Sequence, residues 1–182
     1  MPQNIELAVT VDVEDWFHVC APHAPHPAQG AWRVLENVRK ILLLLETRRA
    51  RGTFFVLGSV AEALPSLVPL LKAAGHEIAS HGYSHRLVTE LGPDAFREEV
   101  RRTREILERQ SGCSVKGFRA PRWSICRKKT PWALEILREE GYVYDSSLNP
   151  LPYVGDPEGP LDPAPLRLAA GTLWEVPPMV TS

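Results

Sequence analysis

His81 and His85 stand four residues apart directly after an apolar run, and the acids Asp12, Glu14 and Asp15 close an earlier one. Two neutral nitrogen ligands, one carboxylate ligand and a spare carboxylate base are the parts needed to activate a water molecule for attack. Imidazole and carboxylate together suit zinc, whose catalytic sites keep three protein ligands and one open position. The segment HGYSH at 81–85 is not the helical zinc-protease motif, which needs Glu where Gly82 stands. Its spacing still brings both rings to one side if the chain turns helically after His81. Alone, the pair reads as two packed or surface histidines; acids at the end of another strand reverse that reading.

Strand alternation puts Thr10, Asp12 and Glu14 on one face and Val9, Val11 and Val13 on the other. Asp12 and Glu14 can then enter one pocket, as base and ligand, with Asp15 replacing Glu14 if the chain turns there. A solvated acidic turn is the bland alternative, but it explains less well why Asp12 lies inside the apolar run. Arg119, in FRAPRW, would fix a carboxylate base in orientation. Asp145, in YDSSLNP, would hold Arg119 in turn, or cap a turn with Ser146 and Ser147. By itself Arg119 reads more readily as a strand-end surface charge. Tyr83, Pro121 and Trp123 offer an apolar wall for a sugar, although isolated aromatics are more often packing. His18, His23 and His26 fall in a Pro-rich loop and read as solvated, not as a second metal site.

The elements that must position these residues alternate β-rich runs with amphipathic stretches, the pattern of βα units. Strands are expected from Ile5 to Asp12, Thr53 to Leu57, His76 to Ser80, Gly117 to Arg119, Tyr142 to Asp145 and Leu173 to Val176. Helices are expected from Trp32 to Arg49, from an N-cap at Ser59 to Ala74 with Pro65 kinking or dividing it, from Pro93 to Gln110, and from Thr130 to Glu140. The six prolines between Pro150 and Gly171 argue for a loop. Asp12, His81, Arg119 and Asp145 all fall where a strand ends, and parallel α/β folds gather those ends on one face.

At 182 residues the chain suits one domain. A net charge of -1 gives no reason to expect nucleic acid or an anionic membrane as partner. Three scattered cysteines without a CxxC pair argue against a disulfide framework. No basic leader precedes Asp15, and the aliphatic run Ile41 to Leu45 is far too short to span a bilayer, so a cytoplasmic location is expected.

In order, TVDVEDWF (10–17), RGTFFVLG (51–58), GHEIASHGYSH (75–85), GFRAPRWSI (117–125) and YVYDSSLNP (142–150) resemble the polysaccharide deacetylase family, the NodB homology domain. The resemblance covers about residues 5–176 and is nearest to the exopolysaccharide-associated branch, whose first motif reads DVED. GHEIASHGYSH carries most of the specificity. The resemblance implies a single domain over 1–182 with a distorted (β/α)7-type barrel, incomplete at its C-terminus. It implies a metal-dependent, zinc-suited hydrolase that removes N-acetyl groups from amino sugars of a poly- or oligosaccharide. Asp12 would be the base, His81 and His85 metal ligands, and Arg119 the tether of the base, with Asp145 behind it. The family's usual aspartate after the base is Val13 here, so the third ligand is Glu14 by strand parity, or Asp15. The family's closing histidine, the acid for the leaving amine, has no counterpart after His85, so a C-terminally shortened form is expected. An open barrel edge would then call for a partner chain, such as a second copy, or leave the fold marginally stable. Two other readings stand beside this one: a non-catalytic glycan-binding or assembly member, and a hydrolase of small non-peptide amides.

Overall fold

The computed structural model describes residues 8–21, 27–151 and 154–178. The expected start of the first strand (5–7), His23 and His26 lie outside them.

Five strands pair in parallel and in chain order: β1 (Val9–Val13), β2 (Gly52–Val56), β3 (Glu77–Ser80), β4 (Gly117–Phe118) and β5 (Tyr144–Asp145). A hairpin comes next, β6 (Pro150–Leu151) with β7 (Val154–Gly155). Then β8 (Ala164–Leu168) runs antiparallel to β9 (Gly171–Glu175), and β9 lies parallel beside β5. The order is β1-β2-β3-β4-β5-β9-β8. Successive strands are neighbours, as in a (β/α) barrel, but among the described residues β1 and β8 do not pair and the sheet stays open.

β2 is apolar on both faces because it is covered on both: Phe54, Phe55 and Val56 are all buried. The helices are α1 (Trp16–Cys20), α2 (Val34–Thr47), α3 (Gly58–Ala63), α4 (Leu67–Ala73), α5 (Pro93–Ser111) and α6 (Ala133–Glu139). In α5, Pro93 occupies the first turn, where its missing N–H costs nothing, and Gly112 closes the helix in the left-handed conformation. Its buried stripe, Phe96, Val100, Thr103, Ile106 and Leu107, packs towards the sheet, where Phe96 meets Phe118 edge-on. Tyr142 is fully buried and donates its hydroxyl to the Val100 carbonyl at 2.8 Å. No helix among the described residues is long and apolar enough to cross a membrane.

Two expectations are corrected. Ser59 is not an N-cap: Leu57 holds that position, and the first amides of α3, Gly58 and Ser59, donate to the carbonyls of Gly82 and Tyr83. The stretch 150–171 is not one loop, since it contains β6, β7 and β8. Its prolines fit because β8 is an edge strand, where a ring without an N–H can face outwards.

The seam between β5 and β9 carries a constraint. Asp145 and Glu175 are register partners, both fully buried. Asp145 Oδ1 accepts from the Ser147 hydroxyl at 2.6 Å, and Glu175 Oε1 from the Leu148 amide at 3.1 Å. The remaining oxygens, Oδ2 and Oε2, have no other donor, so the two carboxyls must share a proton. Burial, then the Asp145 charge, pushes the Glu175 carboxyl up to about 11 from its ordinary 4.5. The folded chain therefore keeps a proton that the unfolded chain releases above its ordinary carboxyl pKa. Stability from this proton is full in acid and erodes as pH rises towards the folded value. Between about pH 5 and about pH 9 the melting temperature should fall less in Glu175→Gln than in the wild type. Parallel pH slopes for the two proteins would show that the pair holds no such proton.

Candidate metal centre

The site is assembled where β1, β3 and β4 end. Arg119, buried just past β4, donates to Asp12 Oδ1 at 2.8 Å, Thr10 Oγ1 at 3.1 Å, Ser146 Oγ at 2.9 Å and the Ser146 carbonyl at 3.4 Å. Its guanidinium also lies 4.1 Å from the Phe55 ring centroid. So many partners leave the guanidinium one orientation, and through it the Asp12 carboxylate. The expected contact between Asp145 and Arg119 is absent. Asp145 instead orients the Ser147 hydroxyl, which accepts the Ala120 amide at 2.8 Å, so it steadies the backbone beside Arg119. Its carboxyl is engaged by Ser147 and Glu175, which leaves it no free oxygen for the guanidinium.

His81 comes directly after β3. Its Nδ1 lies 2.9 Å from the Arg119 carbonyl, and a carbonyl only accepts, so Nδ1 carries the hydrogen and Nε2 keeps the lone pair. Burial lowers its pKa against the opposing charges of Asp12 and Glu14, which favours the neutral, ligating form.

The turn to His85 is not helical. Gly82 takes φ 76° and His85 φ 65°, both left-handed. Backbone groups on both sides hold this turn. The Gly82 and Tyr83 carbonyls accept from the N-terminus of α3, at 2.9 and 3.2 Å. On the other side, the Glu99 carboxylate of α5 accepts the Tyr83 and Ser84 amides at 3.2 and 3.3 Å and the Ser84 hydroxyl. Gly58 has to be glycine for this approach, because a Cβ there would stand 2.6 Å from the Tyr83 ring and 2.7 Å from Thr103 Oγ1.

Glu14 lies just past β1. Burial alone would raise its carboxyl, but contact with His85 and the charges of His81, His85 and His18 outweigh it and hold the pKa below the usual value. Glu14 Oε2 and His85 Nε2 stand 2.6 Å apart, yet Oε2 has no aligned hydrogen-bond donor among the described residues. One ligand atom from each of Glu14, His81 and His85 lies within 4.8 Å of the other two. Two imidazole nitrogens and one buried, unsatisfied carboxylate oxygen fit a divalent cation.

Asp15, the alternative third ligand, is outside this cluster. It caps α1 through the Trp16 amide at 2.9 Å and accepts the Arg33 and Val34 amides at 2.7 and 2.9 Å. His18 is not solvated: it is buried, its Nδ1 accepts the Asp15 amide at 3.0 Å, and its ring lies 6.0 Å from that of His85. Asp15 and His18 form a capping box at the start of α1, with His18 where the usual pattern has Glu or Gln. Tyr83 points away, its hydroxyl on Glu62 at 2.6 Å and the Arg102 guanidinium 3.9 Å over its ring. Pro121 is buried against the Gly82 turn, and Trp123 is half-buried with φ 49°.

A family model described as polysaccharide deacetylase matches residues 29–144, which include His81, His85 and Arg119 and begin after Asp12 and Glu14. The chain is 37% identical over 101 residues to the peptidoglycan-N-acetylglucosamine deacetylase of Bacillus cereus, covering 56% of this chain and 37% of that one. It is 34% identical over 83 residues to the chitooligosaccharide deacetylase of Sinorhizobium fredii, covering 45% and 39% respectively. The crystal structure of a protein provisionally assigned as a polysaccharide deacetylase from Mycobacterium smegmatis matches with a TM-score of 0.75 and 32% identity, covering 93% of this chain and 57% of that one. The chain thus spans well under two thirds of each of these relatives.

Competition with a chromogenic chelator should give one zinc ion per chain, and none in His81→Ala or His85→Ala. Glu99→Ala touches no ligand atom, yet loosening the turn should weaken zinc binding about tenfold. Wild-type affinity in Glu99→Ala would show that the turn holds its shape without that carboxylate.

Proposed function

Because the chain belongs to the polysaccharide deacetylase family, we propose that it is a metal-dependent hydrolase removing N-acetyl groups from amino-sugar residues of a poly- or oligosaccharide. The observation that carries this reading is a carboxylate, Asp12, clamped by Arg119 beside the Glu14, His81 and His85 cluster and close enough for its charge to act on His81.

Glu14, His81 through Nε2, and His85 would hold the cation. Zinc there would supply Lewis acidity, polarising the acetyl carbonyl and lowering the pKa of a water molecule towards ~7. The rest belongs to the chain's own groups. Asp12 Oδ1 is held by Arg119, which leaves Oδ2 to take a proton from the attacking water. Thr10, which shares the Nη1 donor with Asp12, and Ser146, on Nη2 and Nε, keep that carboxylate from swinging away. The water oxygen bonds to the acetyl carbon, the carbon–nitrogen bond breaks, and acetate leaves with the proton delivered to the free amine.

Acetate release from N-acetylglucosamine oligomers should exceed that of a metal-stripped control, and Asp12→Asn should lower it on the order of 10²–10⁴-fold. Zinc stoichiometry should be unchanged in that variant. Absence of acetate above the stripped control across acetylated glycans would remove the proposal, and release from small amides alone would redirect it.

A further inference from the structure

Next to the metal cluster lies a cavity of about 190 Å³ that the hydrolytic chemistry leaves unexplained. It opens from His85 between α1, the segment just after His85, and Arg122; His18, Arg86, Leu87 and Glu90 complete most of its lining. Sharing His85 with the cluster, it borders whatever occupies the cation site.

Its polar lining is dominated by donors. His18 Nδ1 accepts the Asp15 amide, so the ring hydrogen of the neutral imidazole is on Nε2. The Arg86 guanidinium makes one hydrogen bond among the described residues, to the Glu90 carbonyl at 3.4 Å. The Arg122 guanidinium likewise makes one, to the Val19 carbonyl at 3.1 Å. Each guanidinium has five N–H groups, so most remain available. Glu90 is the single carboxylate in the lining, and no ion pair joins it to either arginine among the described residues. Ser84 already donates its hydroxyl to Glu99 and adds no competing acceptor of charge. Arg122 and Trp123 hold left-handed backbone, φ 52° and 49°, which is costly outside glycine and is maintained at this rim.

We propose that this cavity is a subsite for a carboxylate-bearing sugar adjoining the residue that is deacetylated. The inference rests on the deacetylase reading and narrows its substrate class to acidic glycans. A guanidinium grips a carboxylate through two parallel N–H···O bonds, and the second arginine supplies further donors. The cavity is smaller than pockets that enclose a drug-sized ligand, in keeping with one acidic ring on an open groove.

Binding and turnover are measured separately. Zinc-loaded Asp12→Asn protein is titrated by calorimetry with an N-acetylglucosamine tetramer, with a length-matched oligomer alternating N-acetylglucosamine and glucuronic acid, and with a muramic-acid-containing oligomer. The two acidic arms distinguish a ring carboxylate from an ether-linked one. At least one acidic oligomer should bind about tenfold tighter than the neutral one, the scale of one charge-assisted hydrogen bond. That advantage should shrink with added salt and disappear when Arg86→Gln and Arg122→Gln are combined, each single change giving part of the loss. Equal affinity for acidic and neutral oligomers, or an advantage that survives both substitutions in a folded protein, overturns the subsite. Acetate release by the wild type separates the two ideas: preference without acetate keeps the subsite and removes the hydrolase, while acetate without preference does the reverse.

Discussion

Arg119 joins the two halves of the candidate site. Its carbonyl fixes the tautomer of His81, and its guanidinium fixes the Asp12 carboxylate. A buried cation is expensive unless its donors are satisfied, and Arg119 is nearly buried. Thr10, Ser146 and the Phe55 face meet that need together with Asp12. The interactions that make the arginine tolerable are therefore bound up with those that orient His81 and Asp12. The spacing of His81 and Asp12 is then set by the covalent length of one residue and by the register of β1 on β2 and of β2 on β3, not by a loop.

The architecture explains why one residue can do this. Parallel strands present their C-terminal ends on one side, and β3 and β4 pair only at Ser80 and Phe118, so His81 and Arg119 emerge side by side. Beyond each strand end, backbone hydrogen bonds hold the chain in place. The Ala120 amide reaches Ser147, the Gly82 and Tyr83 carbonyls reach α3, and the Tyr83 and Ser84 amides reach Glu99. Turns tied in this way keep left-handed residues such as His85 in place without a helix or a disulfide.

Local signals and tertiary signals differ in how well they can be read. An apolar run that ends in a polar residue marks a strand end, so the placement of Asp12, His81 and Arg119 is legible in the sequence, as are the α5 stripe and the division at Pro65. Strand parity favours Glu14, and the motif order points to the family. Asp15 and His18 are easily misread because their capping box sits beside a Pro-rich loop. Glu99 gives no signal: it lies among many charges on α5, and only the fold shows which of them meets the turn. Asp145 is legible only in part for a similar reason: the turn with Ser147 is among its readings, and the pairing with Glu175 is not. Its partner lies thirty positions later, on a strand whose neighbour β8 is hidden by prolines that would argue against a central strand.

Glu14 and Glu175 show how the same side chain acquires opposite character. Both lose water, which raises a carboxyl pKa, and the outcome is decided by what surrounds each. Three imidazoles face Glu14, and its carboxyl is held below the ordinary value. A second carboxyl faces Glu175, and its pKa is pushed far above. The first environment favours an anion with an unsatisfied oxygen, which a cation can complete. The second favours a neutral acid that donates to its neighbour and steadies the seam between β5 and β9. Burial alone would make both structural, so the histidines, more than the acids, mark the rim as the place for chemistry.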